Sequence, residues 1–408
     1  MGWVQPKVLQ QLREAAGLSP AEVAEASKKL ARKYYTPVTE EQLQRWEQGQ
    51  EEPELEHLET LAELYHCPVG HFFLPHALAL EEFPLSFRGL APEKEKHFSS
   101  TTRASLRRFV EWAEWFTTLL EESDIPWEAD IPTYPPEDWE SVVNKERERL
   151  GWSEDVRESC SSAEEAFAWW RKRIENLGVF CFELPLDPKD IRGASLWLAG
   201  RYPFLLVNHQ DAEAATGRLF TLLHEYAHLL LSPRQGIACD FRGREMYGAS
   251  AEFLANRFAA RLLLPPRSLH MYLEEKGLYG KREWSDRRLK EIATHFLVSR
   301  DVVAITLEEE GLAPQGFYRR KREEWEKQHA SWRPWGKGRP TKKWERKARE
   351  IGGAGVRLLL RLAQQERLPT LDIAYLLDTK VEKVSEYLHA FQRELKERQE
   401  GSMYIPPS

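Results

Sequence analysis

The chain has 408 residues and a formal net charge of −7, with 42% hydrophobic and 30% charged residues. This is the make-up of an ordinary soluble protein of two to four domains, large enough to bury a substantial core. No apolar run approaches membrane-spanning length, the start MGWVQPKVLQQ lacks a signal peptide's pattern, and four scattered cysteines without CxxC spacing fit a reducing cytoplasm rather than a disulfide framework or a cysteine-only zinc site.

Residues 1–76 read as a bundle of short helices. PKVLQQLREAAG stops at Gly17, and SPAEVAEASKKLARK opens on Ser19 with Glu22 three residues on, a capping box. TEEQLQRWEQG repeats the device with Thr39 as cap and Gly49 as stop, and ELEHLETLAELYHC supplies a fourth amphipathic helix. Residues 77–150 are expected to be a helical connector: a long helix from about Thr101 to Glu122, then the proline- and acid-rich DIPWEADIPTYPPEDWESV. The next segment, 151–315, mixes helices with the strand-like runs VFCFELPL and RYPFLLVN. Residues 316–349 form a basic, tryptophan-rich linker, and 350–408 read as a C-terminal domain of three helices. The expected fold class is mostly α with an α+β centre: a helical bundle, a central domain with a small sheet, and a helical C-terminus.

One stretch does not fit a folding argument alone. LFTLLHEYAHLLL, residues 219–231, is an apolar helical run carrying two histidines and a glutamate. Residues four apart lie on one helix face, so His224 and His228 can aim at a single cation, while Glu225 lies roughly 100° round the helix, flanking the ion as a general base. A hydrolytic zinc site needs a third protein ligand and an open position. Glu252, opening the ExxAN pattern of the next helix, is the best candidate, with Asn256 one turn on as a hydrogen-bond partner for a ligand histidine. For a group steadying a tetrahedral intermediate the candidates are Tyr226, His209, Tyr247 and His270, each also readable as packing or surface. RYPFLLVNHQ, just upstream, is read as an edge strand able to pair with an extended peptide.

The string GVF…RG…PFLLVN…RLFTLLHEYAHLLL…EFLANRFAARLLLP resembles the ImmA/IrrE family of metallo-endopeptidases. The N-terminal 76 residues resemble an XRE-type (Cro/repressor-like) helix-turn-helix, with RWEQGQEEP as the matching end of the motif. The resemblance implies a zincin-like central domain, His224, His228 and Glu252 as zinc ligands (manganese being the alternative metal), and Glu225 as catalytic base. It further implies cleavage of a helix-turn-helix repressor, or a partnership with an antitoxin or toxin, that derepresses stress-response, mobile-element or toxin–antitoxin genes. Tyr226 departs from the smaller apolar residue frequent at its position.

Charge bears on nucleic acid. Residues 1–75 hold seven Lys or Arg against twelve Glu, a net of −5. Thr39, Gln42, Gln44 and Arg45 would face the major groove, but Glu40 and Glu41 beside them do not suit phosphates. The module is therefore either a DNA-binding dimer with a local basic patch or a docking or dimerising domain. Residues 317–349 have the opposite character, thirteen Lys or Arg against four Glu, with Trp325, Trp332, Trp335 and Trp344 interleaved. This suits nucleic-acid backbone binding, an acidic protein partner, or a linker whose tryptophans pack on the catalytic domain. Two functional readings follow: a zinc endopeptidase targeted by its N-terminal module, or a non-proteolytic DNA-binding regulator or antitoxin with a structural or sensing metal.

Overall fold

The computed structural model describes residues 4–16, 18–30, 35–65, 67, 69–74, 87–88, 98–123, 125–135, 138–187, 190–209, 215–231, 236–241, 249–280, 282–329 and 342–400. The chain divides into two units, Met1–Val110 and Glu111–Ser408. Among the described residues no helix is long and apolar enough to cross a membrane.

In the first unit, α1 (Pro6–Ala15), α2 (Pro20–Leu30), α3 (Glu40–Glu47) and α4 (Leu55–Tyr65) precede a 3-10 turn, Val69–Phe73, and a two-residue strand β1 (Phe87–Arg88). Both capping boxes form. The Glu22 amide donates to Ser19 Oγ at 3.3 Å while the Ser19 amide donates to the Glu22 carboxylate at 2.8 Å. Gln42 and Thr39 exchange the equivalent bonds at 3.2 and 2.9 Å. Each box satisfies two amides that a helix start leaves without an intrahelical partner. Val8, Leu9, Leu12, Val23, Leu43, Trp46, Leu61 and Phe72 close the core. Arg13 braces α1 against α3 through a two-pronged bond to Glu47, at 2.6 and 2.9 Å.

The helix α5 (Ser100–Glu122) belongs to the second unit from residue 111 on. It is followed by α6 (Trp139–Leu150), α7 (Glu154–Ser159) and α8 (Ala163–Asn176), and then by strands β2 (Phe180–Leu184), β3 (Ile191–Leu198) and β4 (Tyr202–Asn208). After α9 (Ala215–Leu231) and β5 (Gly236–Phe241) the chain is helical: α10 (Ala249–Leu263), α11 (Pro266–Glu275), α12 (Asp286–Phe296), α13 (Arg300–Glu309), α14 (Phe317–His329), α15 (Lys343–Gln364), α16 (Thr370–Leu376) and α17 (Val381–Glu400). The mostly helical, α+β expectation describes the molecule.

Within this unit the strands lie in the order β5-β3-β4-β2, with β2 parallel to β4 and β3 antiparallel to both of its neighbours. Every residue of β2 and β4 is buried, the polar Glu183 and Asn208 included, as in strands covered on both faces. Side chains alternate between faces along a strand. Cys181, Leu205 and Val207 join the core built by α9 and α10, whereas Phe180, Phe182 and Phe204 stack among themselves and with Phe116, Trp112 and Trp127. The expectation that RYPFLLVN is an edge strand is corrected: β4 bonds to β3 on one side and β2 on the other, so it has no backbone free to pair a peptide.

The C-terminal helices fold into the same unit. α15 breaks at Gly352, where φ is 72° and ψ is 168°, a conformation essentially confined to glycine. A Cβ there would lie 2.5 Å from both the Cys181 carbonyl of β2 and the Glu175 carboxylate. Glu175 accepts the Gly353 amide at 2.9 Å, and the buried Arg171 guanidinium donates to the carbonyls of Cys181 and, at 2.8 Å, Arg349. Trp325 of the basic segment is buried in the core of the second unit, with the Arg300 guanidinium 4.6 Å from its ring. Trp332 and Trp335 lie outside the described residues.

Gly352→Ala should strain the backbone and drive a methyl into β2, each costing about 1–3 kcal/mol. A drop of many degrees in the midpoint of thermal unfolding is expected, and an unchanged midpoint would refute this docking of α15.

Candidate metal centre

The apolar face of α9 decides where its polar residues go. Leu219, Leu222, Leu223, Ala227, Leu229 and Leu230 are buried against the sheet and neighbouring helices, and they carry His224, Glu225 and His228 inward with them, at 0, 0 and 4% exposure. Glu252 stands in the first turn of α10, which packs along α9. His224 Nε2 and His228 Nε2 are 3.1 Å apart, and the two carboxylate oxygens of Glu252 lie 3.2 Å from the first and 3.1 Å from the second.

Among the described residues this is the one His/Cys/Asp/Glu group arranged to hold a metal. Its dimensions suit zinc. Ligand atoms about 2.0–2.1 Å from a tetrahedral ion are separated by about 3.3 Å, close to the spacings found here. The donor set, two imidazole nitrogens and one carboxylate, leaves a fourth position for water or substrate. The residues present therefore fit the ion.

Asn256 extends the arrangement as the spacing suggested. Its Oδ1 lies 3.2 Å from His224 Nδ1, so a proton on Nδ1 is donated to Asn256 and the Nε2 lone pair is directed at the cluster. Burial pushes the Glu252 carboxyl upward, but its hydrogen bonds with His224 and His228 prevail and hold it well below the usual carboxylate range.

Gly193, quoted above only as part of a resemblance, has a steric reason. A Cβ at this β3 position would meet Thr221 Cγ2 at 2.6 Å, the Leu206 carbonyl at 2.8 Å and Glu225 Cγ at 3.0 Å. Only glycine lets α9 settle this closely on the sheet with Glu225 between them. Sequence reading had no route to that contact, because β3 itself, IRGASLWL, is interrupted by arginine, glycine and serine.

Not every candidate converges on the cluster. The Tyr226 hydroxyl, fully buried, donates to Glu146 Oε2 at 2.7 Å and accepts from Arg149 Nη2 at 2.7 Å. Burial and the neighbouring Glu146 carboxylate keep the phenol protonated, raising it well above its ordinary range. Its expected role at the reacting carbonyl is corrected: residue 226 is about 200° round the helix from 224 and faces α6 instead. His209 ends β4 with its amide on the Leu184 carbonyl, and burial lowers the imidazole's affinity for a proton. Its charged neighbours are Glu183, Glu350 and Arg349 rather than the cluster. His270 lies 3.3 Å from Glu310 and packs on Tyr279. Tyr247 lies outside the described residues.

On α3, the side chains expected to read DNA have local partners. Thr39 and Gln42 form the capping box, Gln44 bonds to Glu40 at 3.2 Å, and Arg45 pairs with Glu51 at 3.0 Å, all on the exposed surface.

Residues 174–308 match a peptidase family described as the IrrE N-terminal-like domain, and residues 7–71 match a helix-turn-helix domain. Comparisons with curated proteins and with solved structures gave no match. The first match spans β2 to β5 and α9 to α13, the elements that build the His-His-Glu cluster, and the second spans α1 to α4. The chain thus joins an IrrE-type metallopeptidase-family domain of the ImmA/IrrE kind to an N-terminal helix-turn-helix domain.

Proposed function

We propose that His224, His228 and Glu252 hold a zinc ion, or manganese in its place, and that the central domain is an endopeptidase acting on a helix-turn-helix repressor or antitoxin. The observation carrying this reading is the convergence of two imidazole nitrogens and a carboxylate within 3.1–3.2 Å, beside a buried glutamate that a purely structural site does not need. Zinc in that position supplies Lewis acidity, polarising a peptide carbonyl and making water acidic enough to ionise near neutral pH.

The chain's own residues do the rest. Glu225 accepts the proton of the attacking water and returns it to the departing amine, so proton and leaving group balance within one turnover. Asn256 holds the His224 tautomer. Gly193 admits the Glu225 side chain between helix and sheet. Because β4 is an inner strand, the substrate backbone must be held by some other part of the surface.

The helix-turn-helix domain gives the second reading, a DNA-binding regulator whose metal is structural, with DNA contacted through residues 1–76 or the basic 317–349 segment. Its support is the family match over residues 7–71. Against it stand the net charge of −5 over residues 1–75 and the engagement of Thr39, Gln42, Gln44 and Arg45 with neighbouring groups. Targeting or dimerisation suits the module better.

Glu225→Gln should keep one zinc per chain by metal analysis and lose cleavage of a neighbouring-gene repressor by a factor on the order of 10²–10⁴. Cleavage equal to that of the parent protein would remove Glu225 from the mechanism. His224→Ala should lose the metal as well as the activity, and retention of stoichiometric zinc would rule out the ligand set. In a gel shift against the protein's own promoter, the acidic module should bind weakly and without sequence preference. Tight binding that falls steeply with salt would favour the regulator instead.

A further inference from the structure

α6 lies upstream of the matched peptidase-family residues 174–308, yet it touches both helices that carry the metal ligands. Glu146, fully buried, is the hub of the first contact. It accepts the Tyr226 hydroxyl of α9 at 2.7 Å, the Tyr134 hydroxyl at 3.0 Å, and two guanidinium N–H groups of Arg149. Arg149 Nη2 also donates to the Tyr226 oxygen at 2.7 Å, so that phenol is held from both sides. The second contact is made two turns earlier on the same face, where the Arg257 guanidinium of α10 sits 4.8 Å from the Trp139 ring. Tyr226 directly follows Glu225, and Arg257 directly follows Asn256.

We propose that α6 is a positioning element for the metal centre: Glu146 and Arg149 lock the rotation of α9 through Tyr226, and Trp139 steadies α10 through Arg257. The physical basis is directional. Interdigitated leucines hold two helices together without a polar reference, and hydrogen bonds of 2.7 Å to a buried carboxylate add a directional one that fixes rotation and axial position further. An axial slip of α9 by a fraction of an ångström would change the spacing between two imidazole nitrogens and the carboxylate on α10. Metal ligands lose affinity when the groups orienting them are removed, typically by 10- to 100-fold.

This inference rests on the zinc reading above, so its test must separate the two. Tyr134 offers an internal control, since Tyr134→Phe removes a hydrogen bond from the same Glu146 while leaving both the Tyr226 hydroxyl and the bond of the Tyr134 amide to the Leu230 carbonyl of α9 in place. Full-length parent protein, Tyr226→Phe and Tyr134→Phe would be compared by zinc titration against a competing chelator and by the visible spectrum of the cobalt-substituted forms.

The expected result is one tight zinc site in the parent, an affinity about tenfold weaker with an altered cobalt spectrum in Tyr226→Phe, and parental values in Tyr134→Phe. If all three proteins bind zinc alike with the same spectrum, or if both variants lose affinity equally, α6 is only part of the core and the positioning role is overturned. If the parent itself binds no zinc, the metal reading fails and takes this inference with it. Should Tyr226→Phe not yield folded protein, Arg149→Gln removes the donor to the same phenol and is read against the same outcomes.

Discussion

Two imidazole nitrogens and a carboxylate lie about 3 Å apart with both histidines buried, and lone pairs at that spacing repel one another unless a proton or a cation lies between them. A buried acceptor left without a partner costs free energy, which a proton or a cation between the groups offsets. A fold that preserves this arrangement must supply the restoring force elsewhere. Here it comes from the leucine face of α9, from α10 beside it, and from a sheet that accepts the helix at glycine contact distance. Much of the second unit is the scaffold that keeps these three donor groups together.

That dependence explains which parts of the chain were legible. The HExxH helix stood out because its polar residues contradict an otherwise apolar pattern, and helical periodicity alone puts His224 and His228 on one face. Glu252 and Asn256 were readable from spacing on the next helix. Tyr226 was open to two readings, a group at the reacting centre or packing, because adjacency in sequence says nothing about direction; one residue further along α9 the side chain points to α6. The partners Glu146 and Arg149 sit in VVNKERERL, a charged stretch with nothing to distinguish it from a solvated helix face. The burial of Glu146, with Arg149 turned onto it, follows from tertiary packing alone, which no local pattern encodes.

The sheet was half legible for a related reason. β2 and β4 are largely apolar runs, with Glu183 and Asn208 as their polar members, and are recognisable because both faces are covered. β3 carries Arg192, Gly193 and Ser195, and reads as a loop until α9 is placed against it. The order of the strands was beyond sequence reasoning, and it bears on function: an inner β4 cannot itself pair with a substrate backbone. At the α3 helix, Thr39 and Gln42 were each open to two uses, capping and base contact. The capping box answers the local question first, because amides at a helix start must find acceptors whether or not DNA is present.

The working unit is also larger than the stretch that matches a peptidase family. A four-strand arrangement with helices on one face leaves the outer side of β2 and the aromatic face of Phe180, Phe182 and Phe204 to be covered. α5 covers the aromatics through Phe116 and Trp112, and α15 closes over β2, where Gly352 admits the Cys181 carbonyl and Arg171 donates to it. An exposed strand edge invites pairing with other chains, and a buried carbonyl needs a donor. α15 and Arg171 meet both requirements at one place. Residues before 174 and after 308 are therefore structural members of the unit that holds the His-His-Glu cluster, and a fragment cut to the matched boundaries would expose an aromatic face and a strand edge that the intact chain keeps dry.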